Sequence, residues 1–516
     1  MSFNWNIFCG VVWMLCIFFG RSAQAARLDI QARPEYLNAV DALSIENIRS
    51  TTLNSWYHGL NPNAYWTESM ERVYKSLPKS KELKLKANKN FVQLLSDISI
   101  GNIDPETLSL DIKIASKAFI SPKQLTALIM ANGQQADLVL EGLAPQSPPY
   151  LALKAAMVRL YPACKYNTWV PLKRSKNVLR IGVRDPIVLD IKKRFSFLGY
   201  RMTSTDDLVD EAFVMAVNDI EWNLRITPDG TMHPQGAVWD FLSVSCMSRV
   251  RQLQADMEKV RWFPRHFGDR FILINTAFTY FIMVDRADGK NVVTTARAIN
   301  GRFERKTPTM KDEIVRIIFN PYWVVPPTIF IEDKVQEIRA LPRYQLRHYF
   351  EQRNYEIWNS DFTRRLDPES IDWLYIDADT DYKIYIRQKP NYWNALGVVK
   401  FDLTNPYTIY LHDTNQRELF AQPMRLLSSG CIRLENPLAI AEHLLHGTKW
   451  SRSMIDETVA KPGQVMSKDT EVVLERPMPV FVISLTSQLT SDNVLRFTAD
   501  IYGQNEEILA KFNPTL

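Results

Sequence analysis

The chain has 516 residues, of which 46% are hydrophobic and 11% aromatic, enough to fill several cores and to exclude a disordered protein. Lys and Arg number 62 against 57 Asp and Glu, a net charge of +5, and this near balance excludes a purely electrostatic nucleic-acid binder. A sequence pI of 8.7 still suits approach to an anionic polymer.

Residues Ile7–Gly20 form an apolar run that is short for a hydrocarbon core of about 30 Å. Arg21-Ser-Ala-Gln-Ala25 follows with a small-x-small site, so residues 1–25 read as a secretory signal cleaved after Ala25, giving an exported protein. The absence of Lys or Arg before the run leaves an uncleaved membrane anchor as the alternative. Cleavage removes Cys9, Cys16 and Arg21, leaving a net charge of +4 and Cys164, Cys246 and Cys431. An odd number of exported cysteines means one structural disulfide or free thiols, and spacing does not choose between them. Cys164 and Cys246 have no Gly or basic residue beside them and read as packing residues.

Residues 26–150 are rich in helix formers, with helices expected at Tyr65–Ser76, Leu83–Ile98 and Pro122–Asn132. The basic run Lys79–Lys89 includes Leu83, Leu85 and Glu82 and reads as a solvated helix face; His58 reads as a packed or surface histidine. Ala144-Pro-Gln-Ser-Pro-Pro149 is the expected boundary. A unit of three helices follows within 180–245: one from Pro186 to Gly199, one over Glu211–Leu224, then an Asp229-Gly230 turn and a short helix over Pro234–Leu242. From Arg270 the pattern changes to strands, Phe271–Asn275, Thr279–Val284 and Val292–Ile299, with Asp288-Gly289 as a hairpin turn. A β-rich domain is therefore expected over 256–450, interrupted at 329–389 by a helical insertion rich in Arg, Tyr and Trp. Residues 451–516 read as a C-terminal β extension with strands at Val472–Leu474, Val480–Leu485 and Val494–Ile501.

The chemistry is placed at His412 and Cys431. Asn405-Pro-Tyr-Thr-Ile-Tyr-Leu-His412 sets Tyr407, Ile409 and Leu411 against Thr408, Tyr410 and His412, the alternation of a half-buried strand ending at His412. Asn436-Pro437 reads as an N-cap with Pro at the first helical position, opening a helix through Leu445. Cys431 would then lie on a tight polar loop between strand and helix, after Gly430. A thiol near its usual pKa of ~8.5 is only a few per cent thiolate at neutral pH, so it needs a base or a positive field. His412 supplies the first and Arg433 or free backbone N–H groups the second.

Metal chemistry has no comparable pattern: there is no His-Glu-x-x-His, and His443 with His446 closes an apolar helix. Asp377-Ala-Asp379-Thr-Asp381 begins like a calcium loop, but Tyr382 stands where Gly is required and Gln388 where Glu is. No metal, cofactor or nucleic acid is expected.

His412-Asp-Thr and Ser428-Ser-Gly-Cys-Ile-Arg433 at this separation resemble the active-site signature of L,D-transpeptidases, with Ser429 where most members have His, as in the large periplasmic members. Arg261-Trp-Phe-Pro264, Lys306-Thr-Pro308, Phe319-Asn-Pro-Tyr-Trp-Val-Val-Pro326, Arg387-Gln-Lys-Pro390, Asn394-Ala-Leu-Gly397 and Asp500-Ile-Tyr-Gly503 extend the resemblance over roughly residues 180–505. It implies a multi-domain α+β protein: a helical scaffold, a three-helix unit similar to peptidoglycan-binding modules, and a β-rich catalytic domain whose 329–389 insertion is a lid.

It also implies a peptidoglycan transferase of cell-wall biogenesis and cell shape, forming diaminopimelate cross-links through a cysteinyl thioester. Tetrapeptide stems are the implied donors and other cell-wall enzymes the implied further partners. Cys431 would be the nucleophile, His412 the base and Gly430 part of the oxyanion site. Arg433, Tyr410, Ser429 and Trp323 would bind substrate. Asn391-Tyr392 and Asn415 depart from the family pattern, which keeps an L,D-carboxypeptidase or an inactive wall-binding scaffold as the alternative.

Overall fold

The computed structural model describes residues 30–109, 111–166, 169, 171–377 and 383–512, and divides them into two units. The proposed signal segment and most of the Asp377–Asp381 run lie outside the described residues.

The first unit comprises the chain to Gly268, Pro308–Met310 and the stretch from Ile483 onward. Its helix Lys81–Ile100 buries Leu83, Ala87, Phe91, Leu94, Leu95 and Ile98 on one stripe, and Ser80 caps it by accepting the Leu83 N–H. The exposed lysines of the basic run, Lys79, Lys81, Lys86 and Lys89, lie on or beside the opposite face. Helices Glu68–Ser76 and Pro122–Ala131 stand where the periodicity placed them. The Pro-rich boundary is instead the start of an 18-residue helix, Pro148–Lys165, because Pro at the first helical positions forfeits no hydrogen bond. Helices Ile187–Leu198, Glu211–Asn223 and Ala237–Ser243 follow, and Cys164 forms a disulfide with Cys246, Cα–Cα 5.4 Å.

Helix Cys246–Arg261, whose last turns were expected in the catalytic domain, lies in this first unit and is buried despite its charges. Four of those charges are paired within the helix. Asp256 pairs with Lys259 at 2.9 Å and accepts the Ser487 N–H at 2.7 Å; Glu258 pairs with Arg261 at 2.8 Å and accepts the Ile103 N–H at 2.7 Å.

The second unit, Asp269–Thr307 with Lys311–Val482, is built on a sheet that closes on itself. Around the ring run Thr309–Phe319, Val399–Leu403, Leu411–His412, Ile432–Leu434, Val292–Gly301, Tyr280–Asp285, Arg270–Asn275 and Thr470–Ile483, which returns to the first strand. The hairpin at Asp288-Gly289 turns through positive φ at both residues, as its sequence signals.

Four expectations need correction here. The insertion is not simply helical: alongside helices such as Leu346–Gln352 it carries a four-stranded sheet of Trp323–Val324, Ile384–Gln388, Tyr355–Asn359 and Arg365–Leu366. Tyr355-Glu-Ile-Trp-Asn and Ile384-Tyr-Ile-Arg-Gln have the aromatic and β-branched content of strands, and Trp323, Phe350, Ile357, Trp373 and Ile386 share a core of their own.

The strand expected from Asn405 shrinks to Leu411–His412. Asn405 accepts the N–H groups of Tyr407 and Ile409 and Thr408 takes φ 57°, a local turn that competes with the ladder. Asn436 precedes helix Pro437–Leu444 in the left-handed region and makes no side-chain cap. Finally, the C-terminal stretch is not one β extension. Thr470–Ile483 is a single barrel strand, Ser487–Leu489 pairs with Leu495–Phe497, and helices form at Arg452–Thr458 and Gln504–Lys511, the latter with Asp500 accepting the Asn505 N–H at 2.7 Å.

The Cys164–Cys246 bridge spans 82 residues of sequence, so its loss enlarges the unfolded ensemble. Replacing both cysteines by Ser is expected to lower the stability of the first unit by about 2–4 kcal/mol in non-reducing denaturant titrations. An unchanged midpoint would mean that the crosslink adds nothing.

Candidate active site

Two short barrel strands create the site. Leu411–His412 runs parallel to Ile432–Leu434, pairing Leu411 with Ile432 and His412 with Arg433. Leu411 and Ile432 are fully buried, so the alternation of a strand turns His412 and Arg433 to the other face, with Tyr410 and Cys431 one step before them. The Tyr410 and His412 rings meet edge-on with centroids 5.6 Å apart. Lys400 pairs with His412 from the neighbouring strand and sets its ammonium 4.4 Å from the centre of the Tyr410 ring.

Cys431 lies between strand Leu426–Ser428 and strand Ile432–Leu434, not between strand and helix. The loop is tied tightly. Ser428 Oγ accepts the Gly430 N–H at 3.3 Å and donates to the Cys431 carbonyl at 2.5 Å. Thr307 Oγ1 donates to the Gly430 carbonyl and accepts the Gly301 N–H, both at 2.8 Å. Gly430 takes φ 109°, which an L side chain rarely adopts. Its N–H is therefore committed to Ser428, whereas the Cys431 N–H has no hydrogen-bond partner among the described residues. Of the backbone donors expected at this loop, the geometry leaves that of Cys431 for a developing oxyanion.

The half-buried Cys431 is the free cysteine among the described residues, and its thiol donates to the Thr408 carbonyl at 3.5 Å. Thr408 is a partner the sequence did not reveal; it follows from the turn that Asn405 imposes. Burial pushes the thiol above its ordinary value, opposed by Tyr410, Lys400 and Arg433. Burial likewise holds the His412 imidazole down at about 3, helped by the positive charges of Arg433 and Lys400. Its Nδ1 is buried without a hydrogen-bond partner among the described residues. The resting pair is thus a neutral thiol and a neutral imidazole with an unclaimed nitrogen.

Arg433 bonds Gln416 at 3.1 Å and Thr414 at 3.4 Å, both neutral, and its Nε is buried without a partner. A half-buried guanidinium with no acid paired to it among the described residues is a seat for a carboxylate. Asp413, adjacent to His412, is turned away: its carboxylate accepts the Val398 N–H at 2.9 Å and pairs with Arg417.

Trp323 belongs to the core of the insertion, and Tyr410 packs against that core. The indole favours ionisation of the Tyr410 phenol, but burial and the neighbouring Cys431 raise it well above its usual value, so the phenol stays protonated. The Ser429 hydroxyl accepts a hydrogen bond from Arg305 at 3.0 Å. Cys431, His412, Gly430, Arg433 and Tyr410 are thus brought together; Trp323 and Ser429 are tied to neighbouring protein groups. Among the described residues no group of three or more His, Cys, Asp or Glu is arranged to hold a metal ion.

Residues 269–455 match the family model of the L,D-transpeptidase catalytic domain (YkuD), and residues 25–157 match a scaffold domain. The chain is 31% identical over 275 residues to a Haemophilus influenzae protein named "Putative L,D-transpeptidase". That alignment takes in 53% of this chain and 52% of the relative, so the chain spans about half the length of the curated protein it matches. Among solved structures, an L,D-transpeptidase of Xylanimonas cellulosilytica is similar at 13% identity and TM-score 0.18, over 60% of this chain and 99% of that one. An L,D-transpeptidase of Stackebrandtia nassauensis is similar at 11% identity and TM-score 0.22, over 60% and 97%.

A thiol held high by burial beside a neutral imidazole ionises only in alkali. Alkylation of Cys431 by iodoacetamide is expected to rise roughly tenfold per pH unit up to and beyond pH ~9. A plateau reached by neutral pH would reveal a thiolate–imidazolium pair and overturn this electrostatic assignment.

Proposed function

We propose that this chain, with an L,D-transpeptidase catalytic domain at residues 269–455, is a peptidoglycan L,D-transpeptidase that joins diaminopimelate residues through a cysteinyl thioester. The observation that carries the reading is the composition of one barrel face, which among the described residues holds a free thiol, a buried imidazole with an unclaimed nitrogen, and a guanidinium with no acidic partner.

Cys431 Sγ attacks the carbonyl carbon at the L-centre of diaminopimelate in a tetrapeptide donor, and His412 takes the thiol proton. The Cys431 N–H holds the oxyanion until the C–N bond to the terminal D-Ala breaks; that amine leaves with the proton from His412. The amine of a second stem then attacks the thioester, His412 accepts its proton, and the thiol is regenerated. Splitting the exchange in this way replaces one difficult amide substitution by two easier ones. A C-terminal carboxylate one residue beyond the scissile carbonyl suits the charge of Arg433. Water attacking the thioester carbonyl in place of the amine, with the C–S bond breaking and His412 returning the proton to the sulfur, would give L,D-carboxypeptidase activity. The Cys164–Cys246 disulfide supports a periplasmic setting, since such bonds persist in oxidising compartments.

The decisive measurement is intact mass after incubation with a carbapenem. One covalent adduct is expected, and Cys431→Ala is expected to abolish it. A chain that takes no adduct but still sediments with purified sacculi is a wall-binding scaffold. Products from defined tetrapeptide muropeptides then separate cross-linking from trimming.

Arg433→Gln is expected to lower kcat/KM for a tetrapeptide donor by about 10–100-fold, the range for losing a hydrogen bond to a charged group of ~1.5–3 kcal/mol. The same substitution is expected to leave a donor with an amidated C-terminus nearly unaffected. Equal losses on the two donors would remove Arg433 from substrate recognition.

A further inference from the structure

We infer that Arg305 is a positioning residue that makes the setting of the Cys431 loop depend on the acidic pair Glu332 and Asp333 of the insertion. The activity part of the inference rests on the function proposed above; the structural part does not.

Arg305 ends the short helical turn Phe303–Arg305, and its side chain is only 9% exposed. All of its guanidinium nitrogens are engaged. Nη1 and Nη2 each reach an Asp333 carboxylate oxygen at 2.8 Å, the two-pronged geometry that fixes orientation as well as attraction. Nη2 and Nε reach Glu332 at 2.5 and 3.2 Å. The remaining bond runs from Nη1 to the Ser429 hydroxyl at 3.0 Å. Arg305 therefore joins two acids of the insertion to the residue two before the nucleophile.

The turn that carries Arg305 also grips the same loop through its backbone and a hydroxyl. The Arg302 N–H donates to the Ser428 carbonyl at 3.0 Å, and Thr307 donates to the Gly430 carbonyl at 2.8 Å. Ser428, Ser429 and Gly430 are thus held in succession by residues 302–307. The turn has no slack: a Cβ on Gly301 would stand 2.2 Å from the Arg305 carbonyl and 2.6 Å from the Thr307 nitrogen. On the insertion side the acids lie in the π-helical segment Phe330–Lys334, whose Phe330 is anchored in the insertion's core. Without those acids, Arg305 is a nearly buried cation left with neutral partners, and the favourable response is to swing toward water and release Ser429.

The test uses the full chain with Glu332→Gln and Asp333→Asn combined, which removes both charges while preserving shape, and Ser429→Ala, which deletes only the final contact. Backbone hydrogen exchange in the peptide covering 426–434 and the alkylation rate of Cys431 by iodoacetamide are read first, because neither depends on the reaction. Exchange is expected to quicken by about tenfold in both variants, with the melting temperature little changed, and alkylation to rise with it. Carbapenem acylation is expected to fall by about tenfold. Arg305→Lys, which keeps the charge but not the fork, is expected to lie between these variants and the native chain. Added salt is expected to loosen the loop in the native chain and to have little effect once both acids are neutral. Native exchange and alkylation rates in the doubly neutralised variant would overturn the inference. A native chain that forms no acyl adduct would overturn the proposed function instead, and the exchange comparison would still decide the role of Arg305.

Discussion

The site depends on one backbone pairing, that of Leu411 and His412 with Ile432 and Arg433. In a strand, successive side chains face opposite ways, so fixing Leu411 and Ile432 in the core fixes His412 and Arg433 outside it. A slip of one residue would turn His412 and Arg433 toward the core and expose Leu411 and Ile432, and the apolar side chains resist it. The chemistry is therefore positioned by hydrophobic register. The charged and polar groups of the face inherit their places from the apolar residues of the core.

The same burial that secures the register makes the resting site electrically quiet. Taking the thiol and the imidazole out of water disfavours the charged form of each, and Arg433 and Lys400 push the imidazole further down while favouring the thiolate. These cations therefore act on both groups in the same sense, lowering the proton affinity of each. A carboxylate seated at Arg433 would offset part of that field and raise the proton affinity of the imidazole and of the sulfur together. Burial leaves the empty site with its proton on the sulfur.

Much of this was legible in the sequence where local preference and burial agree. Helix Lys81–Ile100 shows its apolar stripe directly, and Asp288-Gly289 forms the turn its composition announces. The readings that failed are those in which a side chain competes with the backbone or a tertiary partner reverses a preference. Asn405 takes over the N–H groups that a longer strand would use, so the alternation up to His412 was real in sequence but not in structure. The end of helix Cys246–Arg261 was expected in the β-rich domain, yet Asp256 and Glu258 are buried against Ser487 and Ile103, partners distant in sequence that belong to the first unit. Cys431 and His412 could be named from their motif. Thr408 and Arg305 could not, because their contacts exist only after a turn and an insertion have been folded into place.

The insertion reaches the nucleophile by two routes of different kinds. One is apolar and ends at the sulfur: the core holding Trp323 packs against Tyr410, whose protonated phenol favours the thiolate. The other is ionic and ends at the backbone: Glu332 and Asp333 hold Arg305, and Arg305 holds Ser429. The first acts on the charge of the sulfur and the second on its placement, so an insertion that shifted as a body would alter both together. The acyl transfer proposed above would require such agreement, since a thioester formed at a poorly placed sulfur would lose its acyl group to water. One insertion contacting both the ring and the loop meets that requirement.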